Sequence, residues 1–407
     1  MILKKIKNKH NIHKYTTLLT LYLAQSIPMT FFASVMPVIM RTEHYSLTSI
    51  GLLQLVKLPW ILKFLWAPLI DKSKGKIEKY KMWIFGSEIF YAIIIFITAF
   101  LDIKTDFNLI IIFLVLAFTA SATQDIATDA FAILILKKEE RSQGNGIQSA
   151  GSFLGTVIGS GVLLIIYHYF GWKYLLFALS GFVILALIPL KGFKPQKISY
   201  HKTQTNISFK DIIFFFKQKN IVLRIVLLSF FYSGLIGILT MLKPWLVDLG
   251  YSIKEIGIYS GVYGALSGAI AAIFIGIQMK RIGEKKALYI ILSFALLVGL
   301  FFWKLSLTTP TYLLLQLAII GLWSAYGMAT VFVYTYSMNM VRKGREGTDF
   351  TIQIVLTHLG SLFLAVVSGK ISQTFGYSNL FLSEVIIGCI LLIVIPFLYK
   401  KTKTDKS

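Results

Sequence analysis

Long apolar stretches recur along this chain from residue 15 to residue 399, separated by short polar breaks. A helix needs about 20 apolar residues to cross about 30 Å of hydrocarbon. In lipid, only helical segments of this kind satisfy their own backbone hydrogen bonds. The pattern predicts twelve spans, with approximate bounds 17–40, 47–70, 82–101, 108–136, 144–168, 173–190, 221–247, 253–279, 287–304, 310–340, 348–370 and 377–399. We therefore expect an all-α integral membrane protein with twelve transmembrane helices.

Composition and charge placement agree with this interpretation. Apolar residues make up 56% of the chain and charged residues only 14%, whereas soluble domains carry about 25% charged residues. The N-terminus, every second loop and the C-terminal tail hold 32 of the 41 Lys and Arg residues, against six in the intervening loops. Because cytoplasmic loops carry the basic excess, we expect a multi-pass protein of the bacterial inner membrane with both termini cytoplasmic. The formal net charge of +23 then faces anionic lipid, and we expect no nucleic-acid partner.

The two halves of the chain share short motifs at a nearly constant offset of 205 or 206 residues. The matched pairs include Tyr45-Ser46 with Tyr251-Ser252, Ile50-Gly51 with Ile256-Gly257, and Ile147-Gln148 with Ile352-Gln353. Repeats at a half-chain offset indicate two structural copies. We predict an N-terminal six-helix bundle (1–190), a cytoplasmic connector (191–219) and a C-terminal six-helix bundle (220–407), related by an axis along the membrane normal.

Predicted span 4 contains two carboxylates, Asp125 and Asp129, one helical turn apart and flanked by Gln124. An acid inside a membrane is costly and marks a functional site by default. We expect Asp125 to carry a proton or to join a charge network that switches during transport. For Asp129 a second interpretation stays open, in which the span ends before it and the carboxylate only caps the boundary.

Other charged residues also fall within predicted spans. Lys57 is a candidate for attracting an anionic solute or for pairing with an intramembrane acid. Lys243 is a candidate for recruiting an anion, with snorkelling to the interface as the alternative. Lys63 is expected to snorkel and to be structural. His358 lies near the middle of predicted span 11 and is either a proton or ligand group or a histidine bonded to a backbone carbonyl. For Glu88 and Glu384, in predicted spans 3 and 12, we favour hydrogen bonding between helices over substrate contact.

Amide and aromatic side chains complete the candidate site, because they interrupt the apolar pattern in helices expected to line a cavity. For the aromatic residues, lipid contact or packing is the default alternative. The candidate substrate-binding residues are Gln25, Lys57, Gln124, Gln148, Lys243, Gln353, Trp323 and Tyr326. The candidates for proton coupling or charge switching are Asp125, Asp129 and His358.

Several function classes lack their sequence signatures. An aspartyl protease needs carboxylates from different helices, whereas Asp125 and Asp129 share one. Neither an H-E-x-x-H motif nor a Walker-type phosphate loop occurs, and one cysteine, Cys389, forms no disulfide framework. We expect no enzyme, no cofactor and no resident metal. A membrane scaffold or receptor stays open as a distant alternative, which solute uptake into vesicles would distinguish from a transporter.

Several motifs resemble those of known transporters. Asp71-Lys72 followed by Gly75-Lys76 resembles the loop signature of the major facilitator superfamily, although the usual glycine ahead of the aspartate is missing. LPWILKFLWAPLIDK (Leu58 to Lys72) and SATQDIATDA (Ser121 to Ala130) resemble the branch that contains muropeptide permeases, acetyl-coenzyme A transporters and single-component siderophore permeases. Within that branch, YLAQSIPMTFF, LKPWLVDLGYS and GTDFTIQ are more similar to the siderophore permeases.

This resemblance implies a fold of two six-helix bundles around a cavity that opens alternately to either side. It also implies import, and a gating loop formed by Asp71, Lys72 and Gly75. Intramembrane acids, His358 and the absence of a nucleotide site add the expectation of proton coupling. We thus expect a symporter of a small polar solute, with a ferric siderophore as the main hypothesis and a muropeptide or other cell-wall fragment as the alternative.

Overall fold

The structure is a computed structural model that describes residues 9–42, 44, 53–72, 76–103, 105–194 and 207–403. Every regular element in these ranges is helical, which confirms the all-α prediction. Seven helices in the described residues are long and apolar enough to span a membrane. They are Ile77–Thr98, Phe107–Ile135, Lys138–Gly192, Lys254–Ile282, Glu284–Ser306, Tyr312–Asn339 and Glu346–Lys403.

Turns and short 3₁₀- and π-helical segments separate seventeen α-helices within the described residues. In chain order they are α1 (Lys9–Thr30), α2 (Met36–Thr42), α3 (Leu58–Leu62), α4 (Ala67–Asp71), α5 (Ile77–Thr98), α6 (Phe107–Ile135), α7 (Arg141–Val157), α8 (Leu163–Leu185), α9 (Ile188–Gly192), α10 (Lys210–Phe216), α11 (Ile221–Phe230), α12 (Ile236–Asp248), α13 (Ile253–Ile256), α14 (Ala265–Ile282), α15 (Glu284–Ser306), α16 (Tyr312–Asn339) and α17 (Glu346–Lys403).

Two of the long helical stretches contain a break that separates consecutive predicted spans. α8 is interrupted at Gly171 (φ 75°) and α17 at Gly376 (φ 81°). These positions fall between predicted spans 5 and 6 and between predicted spans 11 and 12. Helical structure thus covers most of each predicted span where residues are described, and the count of twelve spans stays a prediction.

The chain packs into two units, each built from discontinuous segments. The first takes its described residues from positions 1–137, 154–212 and 341–351, and the second from 138–153, 213–340 and 352–407. The predicted division into bundles 1–190 and 220–407 stays a prediction.

The core of the first unit is apolar and aromatic. Phe31, Phe32 and Phe118 pack edge to face, with ring centroids 5.0 and 5.9 Å apart, and all three are almost fully buried. Helix α6 runs through this core for 29 residues, a length of about 44 Å. This length exceeds the thickness of the hydrocarbon core of a membrane, and the same helix also carries polar residues.

The second unit contains very close contacts between helices at small residues. A Cβ added at Gly276 would lie 2.6 Å from the Ser142 carbonyl oxygen, and one at Gly268 would lie 3.2 Å from the Trp323 carbonyl oxygen. Small residues at such positions let helix backbones approach each other. The glycine- and alanine-rich stretch 260–272 therefore packs closely against α16.

Predicted span 7 is broken in its middle. α11 ends at Phe230 and α12 begins at Ile236, with Gly234 at φ 91° between them. Glu384 of α17 accepts hydrogen bonds from the Gly234 amide at 2.6 Å and from the Ser368 hydroxyl at 3.3 Å. The carboxyl group thus satisfies a backbone donor released by the break, which confirms the expected hydrogen bonding for Glu384. For Glu88 the expectation has no such support, since its buried Oε2 has no hydrogen-bond partner among the described residues.

Candidate functional site

A buried ion pair joins predicted spans 2 and 4 in the first unit. The Lys63 ammonium contacts the Asp125 carboxylate, and their side chains are only 4% and 7% exposed. The Lys63 Nζ also lies 4.6 Å from the centroid of the Trp60 ring, a cation–π contact. Lys63 therefore does not snorkel to the interface. That expectation was wrong because a partner 62 positions away compensates the buried charge.

The local sequence explains why Lys63 departs from a regular helix. Prolines at positions 59 and 68 stand in the first turns of α3 and α4. Proline lacks an amide donor and its ring clashes with the preceding turn, so a continuous helix through residues 58–71 is disfavoured. The chain instead forms a 3₁₀ turn at Lys63–Leu65, the turn that carries Lys63 to Asp125.

Asp129 is buried within the same helix as Asp125. α6 continues to Ile135, and the Tyr22 hydroxyl of α1 donates a hydrogen bond to Asp129 Oδ1 at 2.9 Å. The helix continues past Asp129, and the interpretation in which the membrane boundary falls before this carboxylate stays open. The two carboxylates share one helix and bind different partners.

Two glutamines extend this polar cluster. The side-chain amide of Gln25 donates a hydrogen bond to Gln124 Oε1, and both residues are buried. Gln124 Nε2 and the Thr128 hydroxyl, both buried, have no hydrogen-bond partner in the part of the chain that the structure describes. Buried donors normally find partners, so these two unpaired donors mark the cluster as a candidate site. We define Tyr22, Gln25, Lys63, Gln124, Asp125, Thr128 and Asp129 as the polar cluster.

The second unit gathers aromatic residues around Tyr326. The Phe153 ring packs edge to face against Trp323 and Tyr326 at 6.0 and 6.1 Å, and Tyr232 lies 5.3 Å from Tyr326. The Trp323 Nε1 donor is buried without a partner among the described residues. These aromatic rings pack against one another, and the indole N–H of Trp323 is an unpaired donor among them.

The remaining candidate substrate and proton residues occupy different environments. Gln148 and Gln353 are buried, and the Gln353 amide donates to the Ser337 carbonyl oxygen at 3.2 Å. Lys57 is half-buried, whereas Lys243 and His358 have exposed side chains. In the first unit, the structure brings Gln25 and Gln124 together with Asp125 and Asp129.

Asp71, the first residue of the predicted gating loop, is held by four hydrogen bonds. Asp71 accepts hydrogen bonds from the Gly347 amide (2.9 Å), the Thr348 amide (2.7 Å), the Thr348 hydroxyl (2.6 Å) and the Tyr80 hydroxyl (2.9 Å). Gly347 and Thr348 begin α17, where unpaired amides favour a negative partner. Lys72 is exposed, and Gly75 lies outside the described residues.

Burial sets the protonation behaviour of Asp71. Its side chain is fully buried, and this desolvation raises the pKa of Asp71 to about 7, although hydrogen bonds from Thr348 and Gly347 oppose the rise. The carboxyl group therefore titrates near neutral pH at the end of predicted span 2.

A second charge network lies beside this loop, and sequence reasoning missed it. Arg342 forms paired hydrogen bonds with the Asp349 carboxylate, the shortest at 2.6 Å. Arg345 Nε lies 2.7 Å from Asp211 Oδ1, which ties the start of the connector helix α10 to the loop before α17. In the sequence this network is visible only as basic residues at 342–345 followed by acidic residues. That pattern by itself indicates a cytoplasmic loop and does not show which charges pair.

The profile of the Major Facilitator Superfamily matches residues 18–353. The chain belongs to this superfamily. It is similar to the anhydromuropeptide permease of Escherichia coli K12, with 26% identity over 93% of this chain and 78% of that protein. It is also similar to the putative transporter AmpG 1 of Rickettsia bellii, with 28% identity over 85% and 88% of the two chains.

A solved structure shares the fold. A bacterial homologue of the iron transporter ferroportin, in an outward-facing state, aligns with a TM-score of 0.62 over 95% of this chain and 98% of that one, at 14% identity. This likeness shows the fold alone. As a facilitator-superfamily member with permease relatives, the protein is a membrane transporter and not an enzyme.

The named relatives favour the muropeptide hypothesis over the siderophore hypothesis. Resemblance to the muropeptide-permease branch is confirmed, since the named relatives are an anhydromuropeptide permease and AmpG transporters. The finer expectation of a siderophore permease has no support among them. It depended on three short segments, whereas the superfamily match extends over residues 18–353.

Proposed function

We propose that the protein imports a muropeptide-class cell-wall fragment across the bacterial inner membrane, driven by proton entry. The observation that carries the proposal is the polar cluster, in which α6 contributes one member of a buried ion pair, one of two bonded amides and two unpaired donors. Similarity to a named anhydromuropeptide permease supports the choice of solute class.

The chemistry of such a solute fits the cluster. A muropeptide combines sugar hydroxyls, peptide amides and carboxylates, so its recognition needs amide and hydroxyl partners together with a cation. Gln25, Gln124 and Thr128 supply the first kind of group, and Lys63 supplies the second. In the second unit, Trp323 and Tyr326 offer the apolar faces and polar edges that suit sugar rings and side chains.

Proton coupling follows from the ion pair. In the structure, Lys63 and Asp125 neutralise each other. A proton that binds the Asp125 carboxylate removes its charge and releases the Lys63 ammonium, which can then bind a carboxylate of the solute. Loss of the proton on the cytoplasmic side restores the pair and expels the solute. Asp129 and His358 are further candidate proton sites in this scheme.

Alternating access requires contacts that form on one side and break again. We propose that residues 1–190 and 220–407 act as the two moving halves, with 191–219 as the connector. Two sets of contacts could keep the cavity closed on the cytoplasmic side. They are the hydrogen bonds from the start of α17 to Asp71 and the ion pair between Arg345 and Asp211. Both termini lie in the cytoplasm in this proposal.

Uptake by a deletion strain tests the solute class. Cells that lack the protein should fail to accumulate a radiolabelled anhydro-disaccharide-peptide, and plasmid-borne wild type should restore accumulation. The same strain should take up its ferric siderophore normally under iron limitation. Normal muropeptide uptake together with lost ferric-siderophore uptake would overturn the proposal in favour of the siderophore hypothesis. Loss of neither would favour a scaffold or another solute.

A further inference from the structure

The connector helix α10 has one side that packs against the protein. On this side Asp211 accepts a hydrogen bond from Arg345 at 2.7 Å and another from the Ser208 amide at 2.9 Å. Phe215 is fully buried, and the Arg224 guanidinium lies 6.0 Å from the centroid of its ring. Because residues four apart share one face of a helix, Asp211 and Phe215 fix which side of α10 is covered.

The side of α10 that points away from these contacts is apolar and uncovered. Its large apolar residues, which include the one just before the helix, are 55%, 58%, 50% and 46% exposed; they are Phe209, Ile213, Phe214 and Phe216. Asp211 is the one acidic residue between positions 207 and 219, and it is buried. Exposed groups of large apolar side chains mark surfaces that contact a membrane or another protein.

Lysines stand at both ends of this apolar side. Lys210 is the first residue of α10, and Lys217 directly follows its last residue. Both are exposed, and the seven helical positions between them span about 10 Å. Ile213 and Phe214 lie between the two lysines on the same stripe of the helix. The exposed side therefore offers two cations and an apolar surface to one anionic, amphipathic partner.

α10 lies beside the point where the chain enters predicted span 7. Tight turns join it to α11, in which the Gln218 amide donates to the Phe215 carbonyl oxygen at 3.3 Å and the Ile221 amide donates to the Gln218 carbonyl oxygen at 3.2 Å. α11 then presents exposed apolar residues at intervals of four, namely Val222, Val226 and Phe230. In a membrane transporter such a stripe faces lipid. The exposed apolar residues of α10 thus lead along the chain into a lipid-facing surface.

We propose that α10 docks in the headgroup region of the cytoplasmic leaflet, with Ile213 and Phe214 inserted towards the acyl chains. Lys210 and Lys217 then pair with the phosphates of anionic lipids. Helices of this kind bind through buried apolar area together with attraction to anionic lipid, and the cytoplasmic leaflet carries the negative surface potential. The short connection to α11 favours the bilayer over a soluble protein as the partner. The inference is independent of the transported solute.

A nitroxide label at Phe214→Cys, in a Cys389→Ser background, tests the docking in the full-length protein. Nanodiscs with one copy of the protein contain phosphatidylcholine either alone or mixed with phosphatidylglycerol. In the mixed discs the label should be accessible to oxygen, which dissolves in the bilayer, and protected from a water-soluble nickel chelate. A label at Lys343→Cys, an exposed position outside α10, should be accessible to the chelate. If Phe214→Cys is not monodisperse, Ile213→Cys replaces it.

The contribution of the two lysines is measured as the ratio of nickel-protected to nickel-accessible label at position 214. Lys210→Gln/Lys217→Gln should lower this ratio about 30-fold in the mixed discs, since each lysine near an anionic surface contributes about fivefold. Discs of phosphatidylcholine alone should lower it similarly. The matched control is Lys79→Gln/Lys286→Gln, which removes two exposed lysines outside the connector and should leave the ratio unchanged.

Three outcomes would overturn the proposal. A label at position 214 that the nickel chelate reaches in both kinds of disc would place α10 in water. Protection from both oxygen and the chelate would mean that protein covers this side of the helix. An equal decrease in both double variants, or none in phosphatidylcholine discs, would show that the two connector lysines do not select anionic lipid.

Discussion

At the residue scale, the ion pair with Lys63 explains how the carboxylate of Asp125 is accommodated in an apolar helix. Asp125 and Lys63 are separated by 62 positions and are nearly buried. Removing one member of a buried ion pair leaves an uncompensated charge and costs about 3–5 kcal/mol, whereas removing both is often nearly neutral. Single and double variants can therefore separate the contribution of the ion pair to stability from its proposed role in proton coupling.

Asp125→Asn and Lys63→Met should each lower thermal stability in detergent, and the double variant should recover most of it. All three should lose accumulation driven by a pH gradient, because the ion pair proposed to couple proton entry to transport is no longer complete. Proteoliposome uptake with an imposed gradient measures the second effect. Asp129→Asn is the matched control for stability, since asparagine still accepts the hydrogen bond from Tyr22. Wild-type accumulation by the stable double variant would reject the ion pair as the coupling group.

At the element scale, Asp71 joins predicted span 2 to the start of α17. Its folded-state pKa of about 7 lies above the ordinary value of 3.8, so folding favours the protonated carboxyl group. The corresponding stability is fully present below about pH 3.8 and is lost as the pH rises through about 7.

Wild type should therefore lose about 2 kcal/mol relative to Asp71→Asn between pH 5.5 and pH 7, because asparagine does not ionise. Melting temperatures over pH 5.5–8 measure the difference. Glu78→Gln, which changes an exposed acid on the next helix, should follow the wild-type curve. Parallel curves for wild type and Asp71→Asn would contradict the raised pKa.

The break in predicted span 7 also belongs to the element scale. Glu384 accepts the hydrogen bond of the Gly234 amide at 2.6 Å, and an unsatisfied buried donor costs about 1–3 kcal/mol. Glu384→Leu should lower the melting temperature, whereas Glu384→Gln keeps an acceptor oxygen and should be milder. Equal melting temperatures for wild type and Glu384→Leu would mean that water or another group satisfies the amide.

At the scale of the whole molecule, the charge asymmetry makes a topology prediction. In a Cys389→Ser background, a cysteine at Lys343 should be protected in intact cells from an impermeant thiol reagent, and a cysteine at Lys370 should be labelled. Both should react after the membrane is permeabilised. Labelling of position 343 and protection of position 370 in intact cells would reverse the predicted orientation.

The sequence by itself determined the helical class, the membrane location and the facilitator branch. These depend on local properties: the lengths of apolar runs and short contiguous motifs such as residues 58–72 and 121–130. The presence of acids in predicted span 4 was also readable, because a charge in an apolar run is conspicuous without any knowledge of its neighbours.

Only the tertiary structure decided which groups meet. Gln25 and Gln124 are 99 positions apart, and Asp71 and Thr348 are 277 positions apart. Such contacts depend on how each helix is rotated and where it is interrupted, as at the 3₁₀ turn that carries Lys63 to Asp125. Helix rotation and crossing are set by side-chain packing between distant segments, which no local pattern encodes. For that reason Lys63 was misjudged from the sequence, while Asp125 was recognised.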